Sequence, residues 1–246
     1  MARRFFIPPG TVAAGAITVT GDLYRHMARV LRLKPGATVI LADGAGREFT
    51  GIIDAIGDES LSITITDSRP VPPPASFPRI ALYQGLPKGD KMDLIVQKAV
   101  ELGAAEIVPF AAQRSVVRVA GREEAKILRW EKIAREAARQ SGQSCLPRIA
   151  LGRSVEEVTV AAGCDVKLML WERERAIRLK ETLAEFSQPA SIAVMVGPEG
   201  GFTEDEAACA VQHGFTPVSL GERIVRTETA GLVILAILQF FWGDIG

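Results

Sequence analysis

The chain has 246 residues, enough for two modest domains and for a substantial core that needs no disulfide staples. It carries 29 Lys and Arg against 29 Asp and Glu, so bulk charge gives no argument for a polyanionic partner and any nucleic-acid surface must come from local clustering. Cys145, Cys164 and Cys209 are odd in number and far apart, which suits a reducing compartment better than a disulfide framework.

The opening Arg3-Arg4-Phe5-Phe6-Ile7-Pro8-Pro9 has too short an apolar run for a secretion signal, and the cytoplasm is the expected location. Residues 1–50 hold seven Lys and Arg against three Asp and Glu, a surplus that Asp54, Asp58 and Glu59 largely cancel across the domain. On a helix over about residues 23–31, Leu23, Met27, Val30 and Leu31 would face the core. Arg25, Arg29 and Arg32 would share the other side, placed for phosphates or for solvent alone. Alternating runs such as Thr38-Val39-Ile40-Leu41-Ala42 and Ser60-Leu61-Ser62-Ile63-Thr64-Ile65-Thr66, punctuated by Asp43-Gly44 and Gly57-Asp58, predict a small β-rich first domain. Five prolines among the thirteen residues 67–79 favour an extended connector, and the domains are read as 1–72 and 73–246.

Beyond the connector, Ile80-Ala81-Leu82-Tyr83-Gln84, Glu106-Ile107-Val108-Pro109-Phe110, Val166-Lys167-Leu168-Met169-Leu170-Trp171, Ser191-Ile192-Ala193-Val194-Met195-Val196 and Pro217-Val218-Ser219-Leu220 alternate with helical patterns. That alternation predicts an α/β domain with a parallel sheet. Met92, Ile95, Val96, Ala99 and Leu102 make a helix face that Gly103 terminates. Ser154 with Glu157, and Thr203 with Glu206, have the spacing of capping boxes. Residues 122–140 read as a solvated helix with mixed charges. Residues 230–242 are interrupted by Gln239 and fall short of the roughly 20 residues of a membrane span, so they read as a helix buried on several sides by the fold or a second subunit.

Gly197-Pro198-Glu199-Gly200-Gly201-Phe202 follows a buried strand and precedes a capped helix, where open α/β sheets put ligand loops. Glycines there let backbone approach a flat ligand; a bare strand-to-helix turn is the plain alternative. Glu199 stands where a dinucleotide fingerprint needs glycine, and no P-loop occurs. Some twenty residues on, Leu220-Gly221-Glu222-Arg223-Ile224-Val225-Arg226-Thr227-Glu228-Thr229-Ala230 leads from the next strand into the last helix. If neighbouring strand ends carry them, the two loops line one pocket, although Thr227 or Thr229 also suits a helix cap with Glu228 facing the dipole.

These two loops, together with Gln84-Gly85-Leu86-Pro87-Lys88, Lys98-Ala99-Val100-Glu101-Leu102-Gly103 and Gln113-Arg114-Ser115-Val116-Val117, resemble the signature blocks of the SPOUT methyltransferases. Within that class the chain is similar to the 16S ribosomal RNA uridine-N3 methyltransferase family, the RsmE type. Arg3-Arg4-Phe5-Phe6 and His26-Met27-Ala28-Arg29-Val30-Leu31-Arg32 resemble its N-terminal RNA-binding domain, so the likeness covers nearly the whole chain. The resemblance implies a PUA-like N-terminal barrel, a C-terminal parallel sheet with a deep trefoil knot, S-adenosylmethionine as cofactor, and a homodimer acting on 16S ribosomal RNA, within the small subunit and away from membranes. Carried over by position, Leu170, Gly197, Pro198, Glu199, Gly200, Gly201, Leu220, Gly221, Ile224, Arg226, Thr227, Glu228, Thr229 and Ala230 would surround the cofactor. Arg3, Arg4, Arg25, His26, Arg29 and Arg32 would meet RNA.

Methyl transfer from a sulfonium is an in-line displacement that needs alignment rather than a metal. His26 and His213 lie in different domains, and His213 reads as a helix-terminal residue. Because uridine N3 must lose a proton, a base or a cation that stabilises the uridine anion is expected. Arg114 and Glu228 are the candidates, with a surface ion pair the bland alternative for Arg114 and with Glu101 and Arg139 weaker choices. Two rivals remain: a SPOUT ribose 2′-O-methyltransferase of transfer RNA, and a catalytically silent RNA-binding ribosome-assembly protein.

Overall fold

The computed structural model describes residues 2–71, 77–115 and 121–246. The boundary at 72/73, part of the proline connector, and Val116 and Val117 lie outside the described residues. Two compact units are formed, Met1–Pro74 with Ala138–Leu146, and Ala75–Ala137 with Pro147–Gly246.

The first unit contains β1 (Arg3–Phe6), β2 (Ala16–Thr20), the short α1 (Gly21–Tyr24), β3 (Thr38–Ala42), β4 (Arg47–Ile56) and β5 (Ser60–Pro70). They form a five-stranded PUA-like sheet in the order β1-β3-β4-β5-β2. Register shifts between β4 and β5 at Thr50/Gly51 and Ile53/Ala55 bend it. Gly51 permits the first bend, since a Cβ there would stand 2.5 Å from Ile63 Cγ2. Period-two alternation places Val39, Leu41, Ile53, Leu61 and Ile63 in one core with Phe5 and Met27.

Two expectations for this unit need correction. Strand β5 continues through Asp67, Ser68, Arg69 and Pro70, paired with residues 47–50, where an extended connector was expected; the proline is accommodated as the strand's last residue. The helix expected over 23–31 becomes a π-helical turn at Arg25–Val30, with the Leu31 N–H donating to the His26 carbonyl at 2.9 Å. This wider turn buries Tyr24 and Met27 and leaves Val30 67% exposed instead of in the core.

The second unit runs β6 (Arg79–Gly85), α2 (Lys91–Glu101), β7 (Glu106–Phe110), α3 (Glu123–Ser141, whose residues from Ala138 on belong to the first unit), β8 (Arg148–Ile149), α4 (Val155–Ala161), β9 (Val166–Leu170), α5 (Leu179–Ala184), β10 (Ser191–Val196), α6 (Glu204–Gln212), β11 (Thr216–Val218) and α7 (Thr227–Trp242). Six parallel strands lie in the order β11-β9-β10-β6-β7-β8. Their apolar runs are buried on both faces, as a parallel sheet covered by helices requires. Strands β10 and β11 are therefore not neighbours, as the one-pocket argument assumed, because β9 separates them. Gln84 pairs with Val196, Val196 with Leu170, and Leu170 with Val218, so these strand ends share one row. The loops after β10 and β11 rise from the same edge about 10 Å apart, two strand spacings.

Helix ends differ from expectation in two places. The Thr203–Glu206 capping box of α6 forms completely, but at α4 Glu157 accepts from the Arg153 N–H and only the Ser154 half is made. At α7 the N-cap is Arg226 without a side-chain cap, so neither Thr227 nor Thr229 serves. His213 does stand at the end of α6, as its C-cap. Helix α7 buries Ile234, Leu235 and Leu238, while Phe240 and Phe241 remain exposed. Among the described residues, no helix is long and apolar enough to cross a membrane and no cluster suits a metal.

Candidate functional site

The C-terminal edge of the parallel sheet carries the candidate site. Gln84, at the end of the apolar strand β6, is fully buried. Its amide nitrogen donates to the Thr227 hydroxyl (2.9 Å) and the Gly85 carbonyl (3.1 Å), and Thr227 donates onward to the Gly197 carbonyl at 2.5 Å. One polar thread thus joins β6, the first turn of α7 and the glycine loop. Thr227 is the first residue of α7, one position past the N-cap, and its hydroxyl serves that thread.

The glycines make room for close backbone approach. A Cβ at Gly85 would lie 2.6 Å from both Cδ and N of Pro198, and one at Gly200 would lie 2.8 Å from Arg114 Cβ. Gly201 takes φ +65° and faces the Glu172 carboxylate. Exposed Arg114, just beyond β7, donates through Nη1 to the carbonyls of Gly200 (3.0 Å) and Phe202 (3.2 Å). Buried Glu206 accepts from the Gln113 N–H (2.7 Å) while completing the α6 cap, so it fixes the end of β7 to the start of that helix.

Three charged groups close one side. Lys91 Nζ lies 2.9 Å from Glu199 Oε1 and 3.2 Å from Glu228 Oε2, and the Lys88 N–H also donates to Glu199 at 3.1 Å. The Lys91–Glu228 contact is an ion pair without hydrogen-bond geometry, since Glu228 Oε2 is buried and receives no hydrogen bond. Burial pushes both carboxyls upward; the Lys91 ammonium and backbone N–H groups outweigh it and hold both below the usual range. The same carboxylates raise Lys91.

Of the expected cofactor residues, Leu170 ends β9 between the two loops, Gly197, Pro198, Glu199, Gly200 and Gly201 form the first loop, and Leu220 and Gly221 open the second. Within the second loop Ile224 is 81% exposed, Arg226 caps α7, and Thr227, Glu228, Thr229 and Ala230 form its first turn. Among the described residues, nothing accepts from the backbone N–H groups of residues 222–226. The unused N–H groups of the second loop and the glycine-rich backbone of the first fit a flat, polar ligand such as an adenosyl group.

Residues 74–239 match the model of the RNA methyltransferase domain, and residues 19–66 match that of the RNA methyltransferase PUA domain. The chain belongs to the RNA methyltransferase family. Ribosomal RNA small subunit methyltransferase E of Synechocystis is 33% identical over 96% of this chain and 77% of its own length, and the Bacillus subtilis protein of that name is 30% identical over 92% and 91%. The Neisseria gonorrhoeae ribosomal RNA small subunit methyltransferase E, crystallised with S-adenosyl methionine, superposes with TM-score 0.86 at 31% identity over the whole of both chains.

The expected RNA-contacting residues of this RNA methyltransferase are differently occupied. Arg3 is exposed; Arg4 is half-buried and bound to Glu48 and Ser144. Arg25 pairs with Asp22, and Arg29 lies over Tyr24 and donates to the Asp58 carbonyl at 3.3 Å. His26 packs edge-on to Phe5 with Nε2 buried and unpartnered, and Arg32 takes φ +51° at the end of the π-helical turn. Sequence reasoning assigned Lys91 no role, read Glu206 only as the partner of Thr203 in a capping box, and met Gln84 only within a signature block; an amide closing an otherwise apolar strand was the available signal for Gln84.

Proposed function

We propose that the protein is an S-adenosylmethionine-dependent methyltransferase of 16S ribosomal RNA that modifies N3 of a uridine in the small ribosomal subunit. The observation that carries this reading is the convergence of Arg114, the glycine loop and the α7 first turn on one sheet edge, in a chain whose RNA methyltransferase relatives match it over nearly its whole length. The loops 197–201 and 220–230, with Leu170, hold S-adenosylmethionine, which supplies an activated methyl group on a sulfonium carbon. They form part of the deep trefoil knot that the family resemblance implies. Residues 1–72 bind RNA, using Arg3, Arg25, Arg29 and Arg32, with Arg4 and His26 shaping that surface.

The N3 proton must leave as the new N–C bond forms, and negative charge then spreads over the uracil carbonyls. Arg114 stabilises that charge. Only its Nη1 is committed to the glycine loop, so Nε and Nη2, which have no partner among the described residues, are available to the base. Glu228, kept ionised by Lys91 against its burial, accepts the proton. Exposed Phe240 and Phe241 on α7 suit a homodimer that covers that face.

The test is methyl transfer from labelled S-adenosylmethionine to small ribosomal subunits from cells lacking the protein, followed by nucleoside analysis. Label in 3-methyluridine, reduced at least about 100-fold by Arg114→Ala, is the expected result. Label in a 2′-O-methylnucleoside overturns the acceptor assignment, and RNA binding without any transfer overturns the enzyme.

A further inference from the structure

Lys91 stands between carboxylates that belong to different loops, Glu199 of the glycine loop and Glu228 at the start of α7. We propose that Lys91 is a positioning residue that ties these loops into the arrangement that receives the cofactor; this rests on reading them as the cofactor site. The geometry sets its task. Both carboxylate oxygens touch one ammonium, so they are no more than about 6 Å apart and would repel each other without it. Glu199 is held a second time by the Lys88 N–H, whereas Glu228 has no second salt bridge among the described residues and feels only the more distant charge of Arg226 besides. Removing Lys91 therefore releases the α7 side of the junction first.

Helix stability gives no reason for a lysine here. Lys91 is the first residue of α2, where the helix dipole disfavours positive charge, and Asp90 makes no side-chain cap bond to compensate. Its side chain is 34% exposed, and methionine keeps most of its aliphatic length, so Lys91→Met removes the charge with little change in packing. The start of α2 is independently anchored by Arg129 of α3, which pairs with Asp90 and Asp93. A residue that costs its own helix something and pairs only across loops is placed for those loops.

The experiment is calorimetric binding of S-adenosylmethionine to the full-length wild type, Lys91→Met and Lys91→Arg, with thermal melting of each apo protein. Two partly exposed ion pairs predict roughly tenfold weaker binding for Lys91→Met, with the apo Tm lowered only slightly, because removing a positive charge from the start of α2 offsets part of the loss. Lys91→Arg recovers most of that loss. In steady state, KM for the cofactor rises while KM for the RNA does not. In the Glu199→Gln/Glu228→Gln background Lys91→Met has no further effect. Unchanged or tighter binding by Lys91→Met overturns the tie, as does weaker binding that tracks a lowered Tm and that Lys91→Arg does not restore. If the wild type itself fails to bind S-adenosylmethionine, the functional reading fails instead.

Discussion

Replacing Thr227 with valine isolates the polar thread that joins the two loops. Valine keeps the shape of the side chain but can neither donate to the Gly197 carbonyl nor accept from Gln84 Nε2. Thr227 is 7% exposed and Gln84 not at all, so water cannot readily replace either bond. Gln84 Nε2 would keep the Gly85 carbonyl, and the Gly197 carbonyl would lose its side-chain donor. At about 1–3 kcal/mol for each buried group left unsatisfied, and with one group only half deprived, the expected loss is about 2–4 kcal/mol.

Urea unfolding followed by tryptophan fluorescence measures this directly, because Trp130, Trp171 and Trp242 all lie in the second unit. With an m-value of about 2 kcal/mol/M, the midpoint should fall by roughly 1–2 M while the slope stays constant. Thr227→Ser, which keeps the hydroxyl, should lose less than half as much. A Thr227→Val protein within about 0.5 kcal/mol of wild type, or a serine variant as unstable as the valine one, would refute the thread as a structural element.

Gly85→Ala should act through space rather than backbone conformation. Its Cβ would press on Cδ and N of Pro198, ring and backbone atoms that cannot swing away, so the glycine loop must shift and cofactor affinity should fall roughly ten- to a hundredfold; equilibrium dialysis showing wild-type affinity would contradict the close approach. In the first unit, Glu48 is buried against Arg4, Arg69 and Ser144. Burial raises its carboxyl, and these partners outweigh that and lower it below 4.5. A depressed folded pKa means its stabilisation is complete above the unfolded value and is lost as pH falls through the folded one. The protection of β4 amides relative to their intrinsic exchange rates should therefore fall below about pH 4.5 in the wild type, and Glu48→Gln should weaken this acid dependence while costing about 3 kcal/mol at neutral pH. An unchanged acid profile in Glu48→Gln would rule out Glu48 as its source.

Much of the fold was legible because local pattern decides it. The bounds of β3, β7 and β10 coincide with apolar runs bounded by turn residues, and the glycine loop announced itself by its place between strand and cap. What was not legible depends on distance along the chain. Gln84 and Thr227 are 143 residues apart and Lys91 and Glu199 are 108 apart, so no window of sequence contains either pair. Strand order is equally non-local: that β9 lies between β10 and β11 follows from the paths of the crossovers, while each strand's own residues specify only that it is buried. The π-helical turn escaped for a different reason, since its residues satisfy an α-helical pattern, while in the structure Met27 is buried and Val30 exposed.

The polar groups on the sheet edge divide by burial, and the division matches what each can do when substrates arrive. Gln84, Thr227 and Glu206 are sealed from water, so breaking their bonds leaves unsatisfied groups and they act as fixed framework. Lys91 and Arg114 keep contact with solvent, where exchanging one partner for another costs little. Arg114 goes further, because it holds the carbonyls of Gly200 and Phe202 with a single nitrogen and keeps the rest of its donor fork unspent. A lysine at that position could hold the loop with its one ammonium but would retain no planar, laterally spread donors for a uracil base. Arg114→Lys should accordingly preserve cofactor affinity within about threefold and still lose most of the transfer rate, a separation that loop anchoring alone would not produce.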